Sequence, residues 1–164
     1  EALAVFRRGL EVVPDDQRLL YGRALLLEGM DRVDDALRDL QRMVSLHPDD
    51  PDALNALGYT LADRTERFEE AQVLIEKALA LKPEEPSIID SMGWVLYRRG
   101  EAAKAEVQLR KAYALQPDAE ISAHLGEVLW SLGRREEARA IWAEGKARDA
   151  GNATLRATVE RLDR

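Results

Sequence analysis

Four prolines recur at nearly constant spacing: Pro14, Pro48, Pro83 and Pro117 lie 34, 35 and 34 residues apart. A period of that length predicts one supersecondary unit stacked on copies of itself, because a single unit cannot bury its own apolar face. Other positions keep the register. Ala2, Ala36, Ala71 and Ala105 each precede a residue on a helical stripe, namely Gly9, Val44, Ala78 and Ala112. The pairs Leu57-Gly58, Met92-Gly93 and Leu125-Gly126 each follow a proline at similar distance.

Each unit reads as two amphipathic helices. Leu54, Leu57, Gly58 and Leu61 follow the i, i+3, i+4, i+7 pattern of one buried face, as do Ala71, Leu74, Ile75 and Ala78 in the helix after it. The recurring proline stops the second helix. Asp50-Pro51 and Glu85-Pro86 place an acidic residue before a proline at the start of the next first helix, where a missing amide hydrogen costs nothing. Gly58, Gly93 and Gly126 lack a side chain, so the helices of a hairpin are expected to approach closely there. The resulting map has second-type helices near 2–13, 33–46, 68–81, 102–115 and 135–148. First-type helices fall near 17–30, 51–64, 86–99 and 119–132, and a last helix near 152–163.

The predicted fold is all-α, a solenoid of antiparallel helix pairs. Its divisions are a lone second helix at 1–16, repeats at 17–50, 51–85, 86–118 and 119–151, and a capping helix at 152–164. A lone second helix would expose its apolar face, so a first helix, with further repeats, is expected upstream. At the other end, Leu155, Val159 and Leu162 share one face while Arg156, Glu160, Arg161 and Arg164 lie elsewhere, a pattern suited to closing a stack.

Catalysis finds little support. His47 and His124 sit in different repeats and make no metal-binding pair at helical spacing. His47 reads as a turn residue. Asp49, Asp50 and Asp52 lack the glycine and distal glutamate of a calcium loop and read as helix capping. With no cysteine, thiol chemistry and disulfides are excluded. The expectation is therefore no catalytic residue, metal or cofactor. A net charge of −7 argues against nucleic acid and against an anionic membrane surface as the partner of this segment.

The unit from Ala53 to Pro83, with its Leu-Gly pair, Phe68, Glu69-Glu70-Ala71, Ala78 and closing proline, resembles the tetratricopeptide repeat family, and the resemblance extends over nearly the whole chain. Val44 and Gly145 depart from the family's second alanine, Ala150 stands where a fifth proline is expected, and residues 64–67 hold one extra residue. The resemblance implies a right-handed α-solenoid whose first-type helices line a groove that binds polypeptide segments. It projects Tyr21, Asn55, Tyr59, Asp90, Trp94, Tyr97, Glu127 and Trp130 onto that wall, beside Leu25, Glu28, Asp63 and Glu120. Phe6, Phe68, Tyr113 and Trp142 take core-like places. Large rings with polar tips suit binding anchors, although some could pack between repeats instead. On the groove reading, removing Trp94 and Tyr97 together weakens partner capture and leaves melting nearly intact. The family's carboxylate clamp is missing, since Tyr21, Leu25 and Ala56 occupy its positions. The remaining wall favours extended apolar or basic segments.

The stretches at 54–68 and 89–98, with Ala123-His124-Leu125-Gly126-Glu127-Val128-Leu129-Trp130, are more specific. They resemble the C-terminal repeats of a group of proteobacterial outer-membrane lipoproteins. That resemblance implies a non-catalytic adaptor on the periplasmic side of the outer membrane, anchored only through an upstream lipidated cysteine. It would recruit the carboxyl-terminal processing protease CtpA and present substrates, including peptidoglycan hydrolases. The alternatives are a cytoplasmic location, or a regulatory or structural segment of a larger protein with contacts or catalysis elsewhere.

Overall fold

The computed structural model describes residues 1–163, and Arg164, which the sequence reading sets on the outer side of the last helix, lies outside the described residues. Among the described residues the only regular elements are ten α-helices: α1 (Ala2–Val12), α2 (Gln17–Gly29), α3 (Val33–Leu46), α4 (Pro51–Arg64), α5 (Phe68–Leu81), α6 (Pro86–Arg98), α7 (Ala102–Leu115), α8 (Ala119–Ser131), α9 (Arg135–Arg148) and α10 (Ala153–Leu162). The expected helices are all present with ends within about two residues, the usual looseness of a helix terminus. None is long and apolar enough to cross a membrane.

Local chemistry explains the helix starts. Asp16, Asp118 and Asn152 each accept a bond from the amide three residues on, at Leu19, Ile121 and Leu155, with distances of 2.8 to 2.9 Å. Asp50 caps α4 by accepting from the amides of Asp52 and Ala53, with Pro51 in the first turn. Asp49 instead pairs with Lys77 at 2.9 Å, so both aspartates have structural work within the turn. Where α6 runs into α7, and α8 into α9, the chain reverses through Gly100 (φ 82°) and Gly133 (φ 80°). The turn before α3 has Asp31 in the same left-handed region at φ 58°, a conformation aspartate tolerates better than most residues. Before α5 the extra residue makes a different turn, in which the Thr65 hydroxyl accepts from the Arg67 amide.

The helices form two compact units, one from Glu1 to Leu81 and one from Lys82 onward. In the first, α2 pairs with α3 and α4 with α5, and α1 packs on α2. Leu40, Leu54, Leu61 and Ile75 are fully buried. Arg23 makes a two-point bond to the buried Asp39, tying α2 to α3 at 2.6 and 2.7 Å. In the second, α6 pairs with α7 and α8 with α9, while α10 lies mainly against α8. Its core holds Ile88, Ile89, Leu109, Leu125 and Leu129.

The three glycines stand at close approaches. A Cβ on Gly58 would lie 2.7 Å from Ile75 Cγ1, one on Gly93 2.5 Å from Leu109 Cγ, and one on Gly126 would overlap the Trp142 indole. Of the four rings expected in the core, Trp142 is buried, whereas Phe6, Phe68 and Tyr113 are half-buried. Tyr113 keeps its hydroxyl at the surface, donating to Glu144.

Candidate docking surface

In the first unit, α2 and α4 carry the expected wall residues. Tyr21 and Leu25, four apart on α2, are 42% and 50% exposed and form an apolar face in contact with solvent. Asn55 and Tyr59 on α4 are half-buried. The Asn55 Oδ1 atom is buried and meets no donor. Beside them, burial pushes the Glu28 carboxyl above its ordinary range, and a bond with Thr60 and the charge of Arg64 only partly offset this.

In the second unit, α6 and α8 bring Asp90, Trp94, Tyr97 and Glu127 together with His124. The Trp94 and His124 rings stack with centroids 4.3 Å apart, and Tyr97 lies 5.4 Å from Trp94. His124 Nδ1 is 2.8 Å from Asp90 Oδ2. One of the two groups donates its proton across this contact and the other accepts. Asp90 Oδ1 is buried with no donor. Arg161 of α10 reaches Glu127 at 2.6 Å. Burial raises the Tyr97 hydroxyl pKa, the Glu127 charge raises it further, and a bond with Ser131 draws it part of the way back.

The sequence reading sets Asp90, Trp94, Tyr97 and Glu127 on an open wall, and three of them are not open. Trp94 is 6% exposed, Asp90 5% and Glu127 6%. Their burial follows from the packing of α8 and α10, which bring His124 over Trp94 and Arg161 onto Glu127. Deleting Trp94 would thus open a cavity, at a cost of about 3–5 kcal/mol for a buried tryptophan, rather than leave melting intact. Trp130 is half-buried and packs on α9, 5.5 Å from Trp142, with Arg135 and Arg139 over its ring at 4.9 and 5.5 Å. It takes no part in the Trp94–His124 stack.

His124 is the functional candidate that sequence reasoning misses, because its partner is far along the chain. The signal lies in the period itself. Asp90–His124 and Glu127–Arg161 are each 34 residues apart, and Asp31–Arg64 and Gln17–Asp50 are each 33 apart. Residues one repeat apart occupy adjoining positions on neighbouring units, so complementary side chains at that separation meet.

Comparison with known proteins agrees with this architecture. Sequence profiles of the family described as Tetratricopeptide repeat match residues 17–60, 51–85 and 91–154. TPR repeat-containing protein PA4667 of Pseudomonas aeruginosa is 48% identical over 127 residues, covering 77% of this chain; the chain spans 22% of that protein's length. The crystal structure of TTC0263, a thermophilic TPR protein of Thermus thermophilus, superposes with a TM-score of 0.83 at 27% identity, covering 98% of this chain and 88% of that one. YrrB, described as a TPR protein with an unusual peptide-binding site, superposes with a TM-score of 0.59 at 23% identity over 96% of this chain and 84% of its own. With its helix pairs repeating at the same period and the profiles matching along most of its length, the chain belongs to the tetratricopeptide repeat family.

Proposed function

We propose that this chain is part of a non-catalytic adaptor whose first-type helices hold extended polypeptide segments. The observation that carries the reading is the apolar face of α2, where Tyr21 and Leu25, four residues apart, are 42% and 50% exposed. A ring and a leucine on one helix face give an extended segment apolar contact. The peptide-binding site in the name of YrrB, a protein of the same fold, supports the same use.

The finer reading rests on the resemblance of residues 54–68, 89–98 and 123–130 to the C-terminal repeats of proteobacterial outer-membrane lipoproteins. On it, the parent is lipid-anchored at the periplasmic side of the outer membrane, recruits the carboxyl-terminal processing protease CtpA and presents peptidoglycan hydrolases to it. Site-specific photo-crosslinking in the intact parent protein tests both levels. A photoreactive residue replacing Tyr21, Tyr59 or Tyr97 is expected to capture protease or hydrolase in periplasmic extract. The same residue replacing Val73 or Val107, 65% and 66% exposed on second-type helices, is expected not to. Capture only from Val73 and Val107 would remove the wall from the mechanism. Capture of other proteins from the wall would retain the adaptor and discard the named partners.

The burial of Trp94 and Glu127 favours a second reading, in which the second unit's wall serves mainly to hold its repeats in register. It predicts that Tyr97 captures nothing while Tyr21 does.

A further inference from the structure

A cleft of about 520 Å³ runs between α9 and α10, lined by neither α6 nor α8. Its floor is apolar, made by Trp142 and Leu155, each 3% exposed, with Val159 beside them. The two ends differ. At one, Arg139 binds Asp163 through bonds of 2.7 to 3.0 Å, so the rim is closed by a neutral pair. At the other, Leu155 packs near Gly145, which sets Lys146 and Arg156 along the rim. Both cations are exposed, and neither has an ion-pair partner among the described residues. The lining carries three cations and two carboxylates, in a chain whose net charge is −7.

We propose that this cleft is a second docking site, for a polypeptide segment that carries a large apolar side chain flanked by Asp or Glu carboxylates. Charge complementarity argues for that occupant. An apolar side chain displaces water from Ala143, Ala150 and Val159, which lie over the Trp142 and Leu155 floor. The adjoining carboxylates reach Lys146 and Arg156, two cations against the one remaining carboxylate of the lining, Glu160. Segments seated between two helices are a recurrent mode of recognition, and the volume lies within the range of ligand sites. The proposal needs nothing from the wall of first-type helices, which would favour apolar or basic segments instead.

Because the chain has three tryptophans, its labelled indole N–H groups give three resolvable reporters. The probe is a blocked ten-residue peptide of Leu, Trp, Asp and Glu, titrated at low salt into the nitrogen-15-labelled 164-residue chain. The Trp142 indole signal is expected to shift while that of Trp94 stays in place. K146E/R156E is expected to weaken binding about tenfold, with an unchanged melting temperature because both residues are exposed. A charge-inverted peptide, with Lys in place of the acids, is expected to bind the parent chain more weakly and the double variant more strongly. The proposal is overturned if the Trp142 signal does not move at millimolar peptide, if both peptides bind alike, or if the double variant binds as well as the parent. Binding of dodecanoate with no response to the peptide would overturn it in favour of a lipid site.

Discussion

Gly126→Ala gives the sharpest test of how these hairpins are packed. A Cβ at Gly126 would overlap Nε1, Cδ1 and Cε2 of Trp142, atoms of a rigid indole that is 3% exposed. The ring has little freedom to retreat. Its N–H faces the Ala123 carbonyl at 3.4 Å and its ring centroid lies 5.5 Å from that of Trp130, the two planes tilted by 30°. Overpacking of this kind costs about 1–3 kcal/mol, while replacing a mid-helix glycine by alanine returns about 1 kcal/mol. If the ring is driven from its site, the loss approaches the larger cost of losing a buried tryptophan. A net destabilisation of about 2 kcal/mol is expected. Gly29→Ala is the internal control, since a Cβ there meets nothing within 4 Å; it should stabilise by about 0.5–1 kcal/mol. At slopes of about 1–3 kcal/mol/M, the two urea midpoints, followed by circular dichroism, should differ by roughly 1–3 M. Coincident midpoints with equal slopes would show that the helices do not meet through Gly126, and the packing account would fail.

Other consequences follow from buried and paired charges. Asp90→Ala and His124→Ala are each expected to cost about 1–3 kcal/mol by leaving a buried polar partner unpaired, and a double-mutant cycle should return a coupling energy above about 0.5 kcal/mol. Additive losses would mean the 2.8 Å contact contributes nothing. Burial alone would raise the Glu106 carboxyl, but bonds from Arg110 and Arg134 hold it below its ordinary range. The bond from Arg110 does the same for Glu137, with Arg134 adding to it. A carboxyl depressed in the folded state gives stability that is present above its unfolded pKa of about 4.5 and lost as pH falls through the lower folded value. Glu106→Gln with Glu137→Gln should therefore lower the melting temperature at pH 7 and flatten its fall below pH about 4.5; an equally steep acid limb would exclude the ring of charges as its cause. Glu28 runs the other way, because burial raises its pKa. Its charged form weighs against the fold, so Glu28→Gln should stabilise at pH 7, and the advantage should shrink as the pH falls through the raised folded pKa, where the parent residue protonates. A constant advantage across that range would refute the assignment.

The helices were legible because their signals are local. Proline at the start of α4 and α6, acidic or amide caps, and apolar residues at helical spacing act within a turn or two, and the period multiplied each signal. The close approaches at Gly58, Gly93 and Gly126 were legible for the same reason, since a glycine in mid-helix has few other uses. The wall was legible only in outline. Family geometry says which face of a helix a residue occupies, but not what lands on that face. Trp94 is on the expected stripe and still buried, because His124 is laid over it from the next hairpin. Trp130 is on the same stripe in the next repeat, yet its ring belongs to Trp142 and two arginines of α9.

Those contacts change what the second unit can recognise. Counting charges along the stripe suggests an acidic wall that attracts basic segments. In the fold, Arg161 already occupies Glu127, and His124 occupies one oxygen of Asp90. A ligand approaching there meets groups that are largely satisfied, so electrostatic attraction is weaker than the formal charges imply. What survives is Tyr97, half-buried beside them, with a hydroxyl shared with Ser131 and Glu127. Capture at this unit should therefore depend on the ring more than on the formal charges. It follows that Tyr97→Phe should weaken capture less than Tyr97→Ala, and that Asp90→Asn should leave the salt dependence of capture nearly unchanged; a salt dependence that falls steeply with Asp90→Asn would refute the reading.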